Sequence, residues 1–349
     1  MTELDRAATD RGEPATDGAT TAAGPRPRRR PLRWLASAAI VALAGVFLAR
    51  AAGEVGWGVL RERLLAADPA ALSLVLAVTL ARYAVWAARW QILMVPVARV
   101  PWWPACAGLM ASLFYTTVIP ASRAFGGLIR ANYLGRAVGR PAGPLYGAAA
   151  VDQFGYSAVS MSLGAAFLPF AFWGQPSGGS RSRFALLAAG VALLAGCLVM
   201  WRRRASLVAR LGRRSPALAE TVEGAIGAAG TLVARPASWA ILIAGGAAVW
   251  WANVAAYQLA AAALGSTIPF AAAAAAFSLG SLAGTVTGTP GGAGTTELAA
   301  LAPLVALGVP SDLALPTVLL ARGMHYALSL GIGGGCALAG GRLGIGRPA

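Results

Sequence analysis

The sequence predicts an all-α fold, a polytopic transmembrane helical bundle with about six full spans and two opposed re-entrant helical hairpins. Of the 349 residues, 57% are hydrophobic and only 12% are charged, whereas a soluble domain carries about 25% charged residues. The mean hydropathy is +0.64, and several apolar stretches reach the roughly 20 residues that a helix needs to cross a bilayer. Two further apolar regions are interrupted by proline and glycine, which favours hairpins there.

Both ends of the chain are predicted to be cytoplasmic tails. Residues 1–33 are rich in Thr, Ala, Gly, Pro and Asp and bury too little apolar surface to fold, so we expect a disordered basic tail. Its arginines would lie against an anionic inner leaflet. Residues 34–341 are predicted to form the transmembrane domain, and residues 342–349 a second short tail.

Six stretches are long and apolar enough to be full spans. They lie at about 34–52, 69–89, 144–172, 183–201, 236–263 and 313–338. Six spans put both termini on one side. The third stretch is longer than a bilayer requires, so we expect it to tilt or to break near Gly155 or Gly164.

The two broken regions each read as a helix, a Pro/Gly break and a second apolar segment. The first runs from Trp103 to Gly135 and turns after Pro120. The second runs from Pro269 to Leu307 and turns after Pro290.

Arginine placement predicts how these regions are threaded, because cytoplasmic segments carry an excess of basic residues. With two hairpins, the arginine-rich segments all fall on the cytoplasmic side. These are Arg26–Arg33, Arg89 with Arg99, Arg136 with Arg140, Arg202–Arg214 with Arg235, and Arg342 with Arg347. A single crossing of the first region would move Arg136, Arg140 and the Arg202–Arg214 cluster outside. The hairpins then enter from opposite faces, which is typical of inverted-repeat transporters with a site near the midplane.

Charge and cysteine usage exclude several classes of partner. The net charge of +16 comes from 29 basic residues, all arginine, against 13 acidic ones. Because the arginines lie between apolar segments, they fit anionic headgroups and membrane orientation, and we expect no nucleic acid. The cysteines show no CxxC spacing and no His cluster, so we predict no metal, cofactor or disulfide framework. They are Cys106, Cys197 and Cys336.

The second break holds the first candidate site residues. Glu297 follows Gly291, Gly292 and Gly294, and an intramembrane carboxylate is rare and costly unless it has a partner. We expect it to pair with Arg322, either as part of a binding site that changes state or as a structural ion pair.

The first break holds Arg130, which follows Gly126 and Gly127. A helix N-terminus and a bidentate guanidinium would favour a phosphate group. The alternative is an interface arginine that touches headgroups nonspecifically. Arg123, in the same break, is a weaker supporting candidate.

Two further residues are supporting candidates. Asp152 lies about two turns into its span, where it either pairs with an arginine or snorkels to the interface. His325, the only histidine, lies one helical turn from Arg322 and is either a site residue or a hydrogen-bonded packing residue. No catalytic residue is predicted, because the chain contains no P-loop, GxSxG or HExxH motif.

Three stretches carry a resemblance to a known family. Arg89-Trp90-Gln91-Ile92-Leu93 resembles an Arg-Trp motif, and Ile119-Pro120 with Gly126-Gly127-Leu128-Ile129-Arg130 resembles a Leu-Pro … Gly-Gly/Asp-x-x-Arg element. Thr289 to Glu297, followed by Gly308 and Arg322, resembles the signature Pro-Gly-Gly-x-Gly-x-x-Glu … Gly … Arg. The family is the membrane region of lysylphosphatidylglycerol synthases, also called flippase-like or UPF0104-type. Asp152-Gln153 stands where that family has a Glu-Arg pair.

The resemblance implies an integral plasma-membrane protein that moves aminoacylated phosphatidylglycerol between leaflets. In the full synthases a separate C-terminal domain attaches lysine to the lipid. This chain ends soon after its last predicted span, so we expect no synthase activity.

The leading hypothesis is a translocator of an anionic or phosphate-bearing lipid. The headgroup would be held by Arg130, Arg322 and glycine N–H groups, with Glu297 releasing Arg322 when the substrate arrives. The alternative is a noncatalytic membrane subunit or anchor for a separate glycosyltransferase or aminoacyl-phospholipid synthase. A third interpretation, an intramembrane lipid-modifying enzyme, is less favoured because no nucleophile–base set is visible.

Overall fold

In the computed structural model, residues 56–119, 126–171 and 216–342 are described, together with isolated positions between 42 and 53 and between 202 and 213. Every regular element within these ranges is helical, so the all-α prediction is confirmed. The tail 1–33, most of the span 34–52, the span 183–201, Arg123 and nearly all of the tail 342–349 lie outside the described residues.

Ten α-helices and one short 3₁₀ turn make up the described part of the chain. They are α1 (Trp57–Leu65), α2 (Pro69–Met94), α3 (Trp102–Val118), α4 (Gly126–Ala137), α5 (Ala142–Ala171), α6 (Pro216–Val233), α7 (Pro236–Ala263), α8 (Phe270–Thr287), the 3₁₀ turn (Pro290–Gly292), α9 (Thr295–Ala306) and α10 (Ser311–Arg342).

Four of the described helices, α2, α7, α8 and α10, are long and apolar enough to cross a membrane. The predicted spans at 69–89, 236–263 and 313–338 lie within α2, α7 and α10. Helix α8, predicted as the first arm of a hairpin, meets the same criterion. The number of spans and the re-entrant course of the broken regions therefore stay predictions.

Helix α5 covers the third predicted span and runs unbroken past Gly155 and Gly164, so the alternative of a break is wrong and the alternative of a tilt stays a prediction. The physical reason at Gly155 is packing. A β-carbon there would lie 2.9 Å from Leu242 Cδ2 on α7. A glycine that lets two helices approach closely leaves the helical hydrogen bonds intact.

Local sequence explains where several helices begin and end. The Asp68 carboxylate accepts hydrogen bonds from the backbone N–H groups of Ala70 (3.1 Å) and Ala71 (3.0 Å), and Pro69 occupies the first turn of α2. Helix α8 ends at Gly288, which is left-handed with φ 62°.

The second break is built from glycines in conformations that other residues avoid. Gly291, Gly292 and Gly294 have φ of 59°, 75° and 78°, which costs little without a β-carbon. Helices α8 and α9 pack against each other on either side of this break.

The two broken regions touch each other. Helix α3 packs against α4, α10 and the turn Pro290–Gly292. A β-carbon on Gly291 would lie 3.4 Å from Thr117 Cα, near the end of α3, and 2.9 Å from Tyr326 Cε1 on α10. The end of the first region's leading helix therefore meets the turn of the second.

A seam of small residues joins α5 to α6. A β-carbon on Gly143 would lie 2.8 Å from the carbonyl oxygen of Thr221, and one on Gly147 would overlap the carbonyl oxygen of Ala225. This close backbone approach is typical of small-xxx-small helix contacts in membranes.

We expect Gly147→Ala to lower the unfolding free energy in detergent micelles by about 1–3 kcal/mol, because the added methyl overpacks the α5–α6 contact. Gly227→Ala on α6 is the matched control, since no atom lies within 4 Å of a β-carbon there. Equal stability of the two variants would contradict the close contact.

Candidate functional site

A cavity of about 210 Å³, lined by apolar and polar side chains, lies where the helices converge. Residues from α2 to α5, from α7 to α10 and from the turn Pro290–Gly292 line it. Both breaks contribute glycine backbone, through Gly126 and Gly127 at the start of α4 and through Gly291. Three arginines line the same cavity, namely Arg82, Arg130 and Arg322.

A buried carboxylate on α5 organises the first polar network. Asp152 is 0% exposed. Its Oδ1 accepts a hydrogen bond from Arg89 Nε (2.9 Å), and its Oδ2 accepts from Arg130 Nη2 (2.7 Å) and Trp86 Nε1 (3.3 Å). Arg89 Nη2 also lies 2.8 Å from Oδ1, which is close enough for an ion pair but not aligned for a hydrogen bond. One carboxylate thus joins α2, α4 and α5.

Arg130 connects this network to the cavity. Its guanidinium carbon lies 4.1 Å from the centre of the Trp90 ring, a cation–π contact. Only Nη2 is engaged by Asp152, while the buried Nε and Nη1 have no hydrogen-bond partner among the described residues. Unpaired charged donors are costly when buried, so this arginine favours an additional acceptor.

The second network lies at the other break. Arg322 Nε donates to Glu297 Oε1 (2.9 Å), and Arg322 Nη2 donates to the carbonyl oxygen of Gly291 (2.8 Å) and to the Tyr326 hydroxyl (2.7 Å). Tyr326 in turn donates to Glu297 Oε1 (3.0 Å). The guanidinium therefore satisfies a carbonyl oxygen that the break has removed from helical hydrogen bonding.

A third cluster also lines the cavity, and its residues come from α2, α7 and α10. Arg82 Nη1 donates to Asn253 Oδ1, and Arg82 Nη2 lies 3.3 Å from His325 Nδ1. The Tyr83 hydroxyl is hydrogen-bonded to the same ring nitrogen. The described contacts of Arg82 include no carboxylate.

The structure brings most of the predicted site residues together. Those that line the cavity are Gly126, Gly127, Arg130, Gly291, Arg322 and His325. Glu297 contacts Arg322 as expected, although its second oxygen has no partner among the described residues. Gly292 and Gly294 shape the turn rather than line the cavity. His325 contacts Tyr83 and Arg82.

Two of the alternatives left open by the sequence are wrong. Asp152 does not snorkel to an interface, because it is fully buried between Arg89 and Arg130. Arg130 is not an interface arginine, because it is 1% exposed. Its role towards a ligand stays a prediction.

Sequence reasoning missed Arg89, Asn253 and Tyr326 as members of these networks, and it identified Arg82 as one of the few charges in the apolar region without assigning it to the site. Arg89 had been counted among the cytoplasmic charges, but it is 2% exposed and therefore carries no weight in the positive-inside count. The signal was present, since Arg82 and Arg89 are seven residues apart and so share a face of α2. Tyr326 is one turn from Arg322.

Residues 34–333 match a family described as Lysylphosphatidylglycerol synthase TM region. No curated protein matches the chain. The matched range contains the cavity and all three polar clusters.

We expect Asp152→Asn to lower the unfolding free energy by about 3–5 kcal/mol, because it strands two buried arginines without a counter-charge. Asp312→Asn is the control. Its ion pair with Arg63 joins side chains that are each 39% exposed, so a loss of at most about 1 kcal/mol is expected. Denaturant titration in micelles would measure both, and similar losses would contradict a central role for Asp152.

Proposed function

Because the chain belongs to the lysylphosphatidylglycerol synthase TM region family, whose members are membrane proteins connected with lipid, we propose that it is a flippase-like lipid translocator. It moves an anionic or phosphate-bearing lipid between the two leaflets. The observation that carries this proposal is the cavity lined by glycine backbone from both breaks and by Arg130 and Arg322.

The proposal keeps the predicted membrane arrangement of about six spans, two opposed re-entrant hairpins and cytoplasmic termini in the plasma membrane. Irregular backbone at membrane depth is tolerated only where protein buries it or a cavity hydrates it. The turn Pro290–Gly292 borders such a cavity through Gly291, which supports this arrangement.

The size of the cavity suits a headgroup. At about 210 Å³ it is smaller than the roughly 300–1,000 Å³ of pockets that enclose a drug-sized ligand. The headgroup therefore enters the cavity while the acyl chains stay in the surrounding lipid.

Arg130 and the start of α4 form the first anchor for the headgroup. The backbone of Gly126 and Gly127, in the first described turn of α4, lies at the cavity. Nε and Nη1 of Arg130, which have no hydrogen-bond partner among the described residues, offer charged donors to phosphate oxygens at the same place.

Arg322 is the second anchor, and Glu297 controls it. A phosphate oxygen that reaches Arg322 competes with the Glu297 carboxylate for the guanidinium. The Tyr326 hydroxyl, which bonds to both side chains, keeps Arg322 oriented while this exchange takes place. The pair thus couples headgroup entry to a local rearrangement at the second break.

We expect Arg322→Ala and Glu297→Gln to slow the translocation of fluorescent phosphatidylglycerol or phosphatidic acid in proteoliposomes at least about tenfold. The reason is that a lost hydrogen bond to a charged group costs about 1.5–3 kcal/mol. Arg99→Gln, at an exposed position outside the cavity, should keep the wild-type rate. Melting temperatures close to wild type would show that the variants fold.

Two results would count against the proposal. Unchanged rates in folded Arg322→Ala and Glu297→Gln would remove the site described here. A stable stoichiometric partner enzyme, with no transport by the purified chain, would favour the alternative of a noncatalytic subunit or anchor.

A further inference from the structure

The side chains around the cavity carry more positive than negative charge. Four arginines belong to the three clusters, and they are Arg82, Arg89, Arg130 and Arg322. Only two carboxylates, Asp152 and Glu297, face them. No acidic residue in the described ranges lines the cavity itself, and the three clusters together hold an excess of two positive charges.

This excess lies away from water. Arg82, Arg89 and Arg130 are 9%, 2% and 1% exposed, and the Arg322 side chain is 12% exposed. Charges removed from water are costly unless each has a counter-charge. The two extra guanidinium groups therefore favour an anion bound in the cavity beside them.

Arg82 contributes the charge that no carboxylate matches. Its partners are the amide oxygen of Asn253 and the ring nitrogen Nδ1 of His325. Neither partner is an acidic side chain, so neither supplies a counter-charge to the guanidinium.

Unused donors around the cavity point to the same missing group. Arg82 Nε, Arg130 Nε and Nη1, and the Thr296 hydroxyl are buried without a hydrogen-bond partner among the described residues. They come from α2, α4 and α9, and all three residues line the cavity. An acceptor that satisfies them must present several oxygens.

We propose that this cavity binds a phosphate monoester dianion, carried as the headgroup of a lipid. This inference rests on the proposed function. A phosphate monoester carries a charge of about −1.5 to −2 at neutral pH and has three terminal oxygens. The charge matches the excess of two positive charges, and the three oxygens match arginines contributed by three helices, α2, α4 and α10. A phosphodiester such as phosphatidylglycerol brings one charge. A headgroup that also carries an ammonium adds to the positive excess.

Binding to the purified full chain in detergent tests this inference. The probes are short-chain phosphatidic acid, short-chain phosphatidylglycerol, lysyl-phosphatidylglycerol and inorganic phosphate, measured by calorimetric titration. Phosphatidic acid should bind at least about tenfold more tightly than phosphatidylglycerol, because the second charge meets an unmatched guanidinium at low dielectric. Lysyl-phosphatidylglycerol should bind most weakly.

Variants at Arg82 give the matched comparison. Arg82→Gln removes the unmatched charge and should bring the affinities for the two short-chain anionic lipids to within about threefold of each other. Arg82→Lys keeps the charge and should retain the preference. Arg99→Gln, at an exposed position, should behave as wild type.

The outcomes separate the inference from the proposed function. Equal affinities for phosphatidic acid and phosphatidylglycerol in the wild type, with both translocated, would overturn the dianion preference and leave lipid transport standing. Absence of binding and transport for every lipid would overturn both. Inorganic phosphate binding as tightly as phosphatidic acid would support the dianion site and overturn a lipid as its source.

Discussion

The buried bridge from Arg89 through Asp152 to Arg130 is the interaction on which the rest of the site depends. It joins α2, α4 and α5 through one carboxylate that water does not reach. A lone charge at this depth would be strongly destabilising, and a single pair would leave one arginine without compensation. Because the carboxylate engages only Nη2 of Arg130, it fixes that side chain and still leaves donors for the cavity.

At the second break, backbone polar groups rather than charged side chains need a buried partner. Glycines with positive φ interrupt the helix and release carbonyl groups that have no helical partner. Arg322 donates to one of them, at Gly291, while it also holds Glu297. The guanidinium therefore stabilises the turn and faces the cavity at once, so a change in its ion pair reaches the backbone of the break directly.

The sequence predicted the elements that local pattern specifies. Apolar length located α2, α7 and α10, and the glycine run with Glu297 predicted the contact with Arg322. It assigned no site role to Arg82 or Arg89, because the positive-inside count treats Arg89 as an interface charge and ignores that the two arginines share a helical face. It also offered a break near Gly155 as the alternative to a tilt, whereas the partner that this glycine accommodates, Leu242, is distant in sequence.

The indole of Trp90 has a consequence for how Arg130 holds its charge. A π-face lowers the energy of a nearby cation through its quadrupole and accepts no conventional hydrogen bond from it. Arg130 therefore lies between one carboxylate, that of Asp152, and an apolar surface rather than between two acids. An incoming anion would meet a guanidinium whose orientation is already set, so little rotational entropy is lost when the two associate.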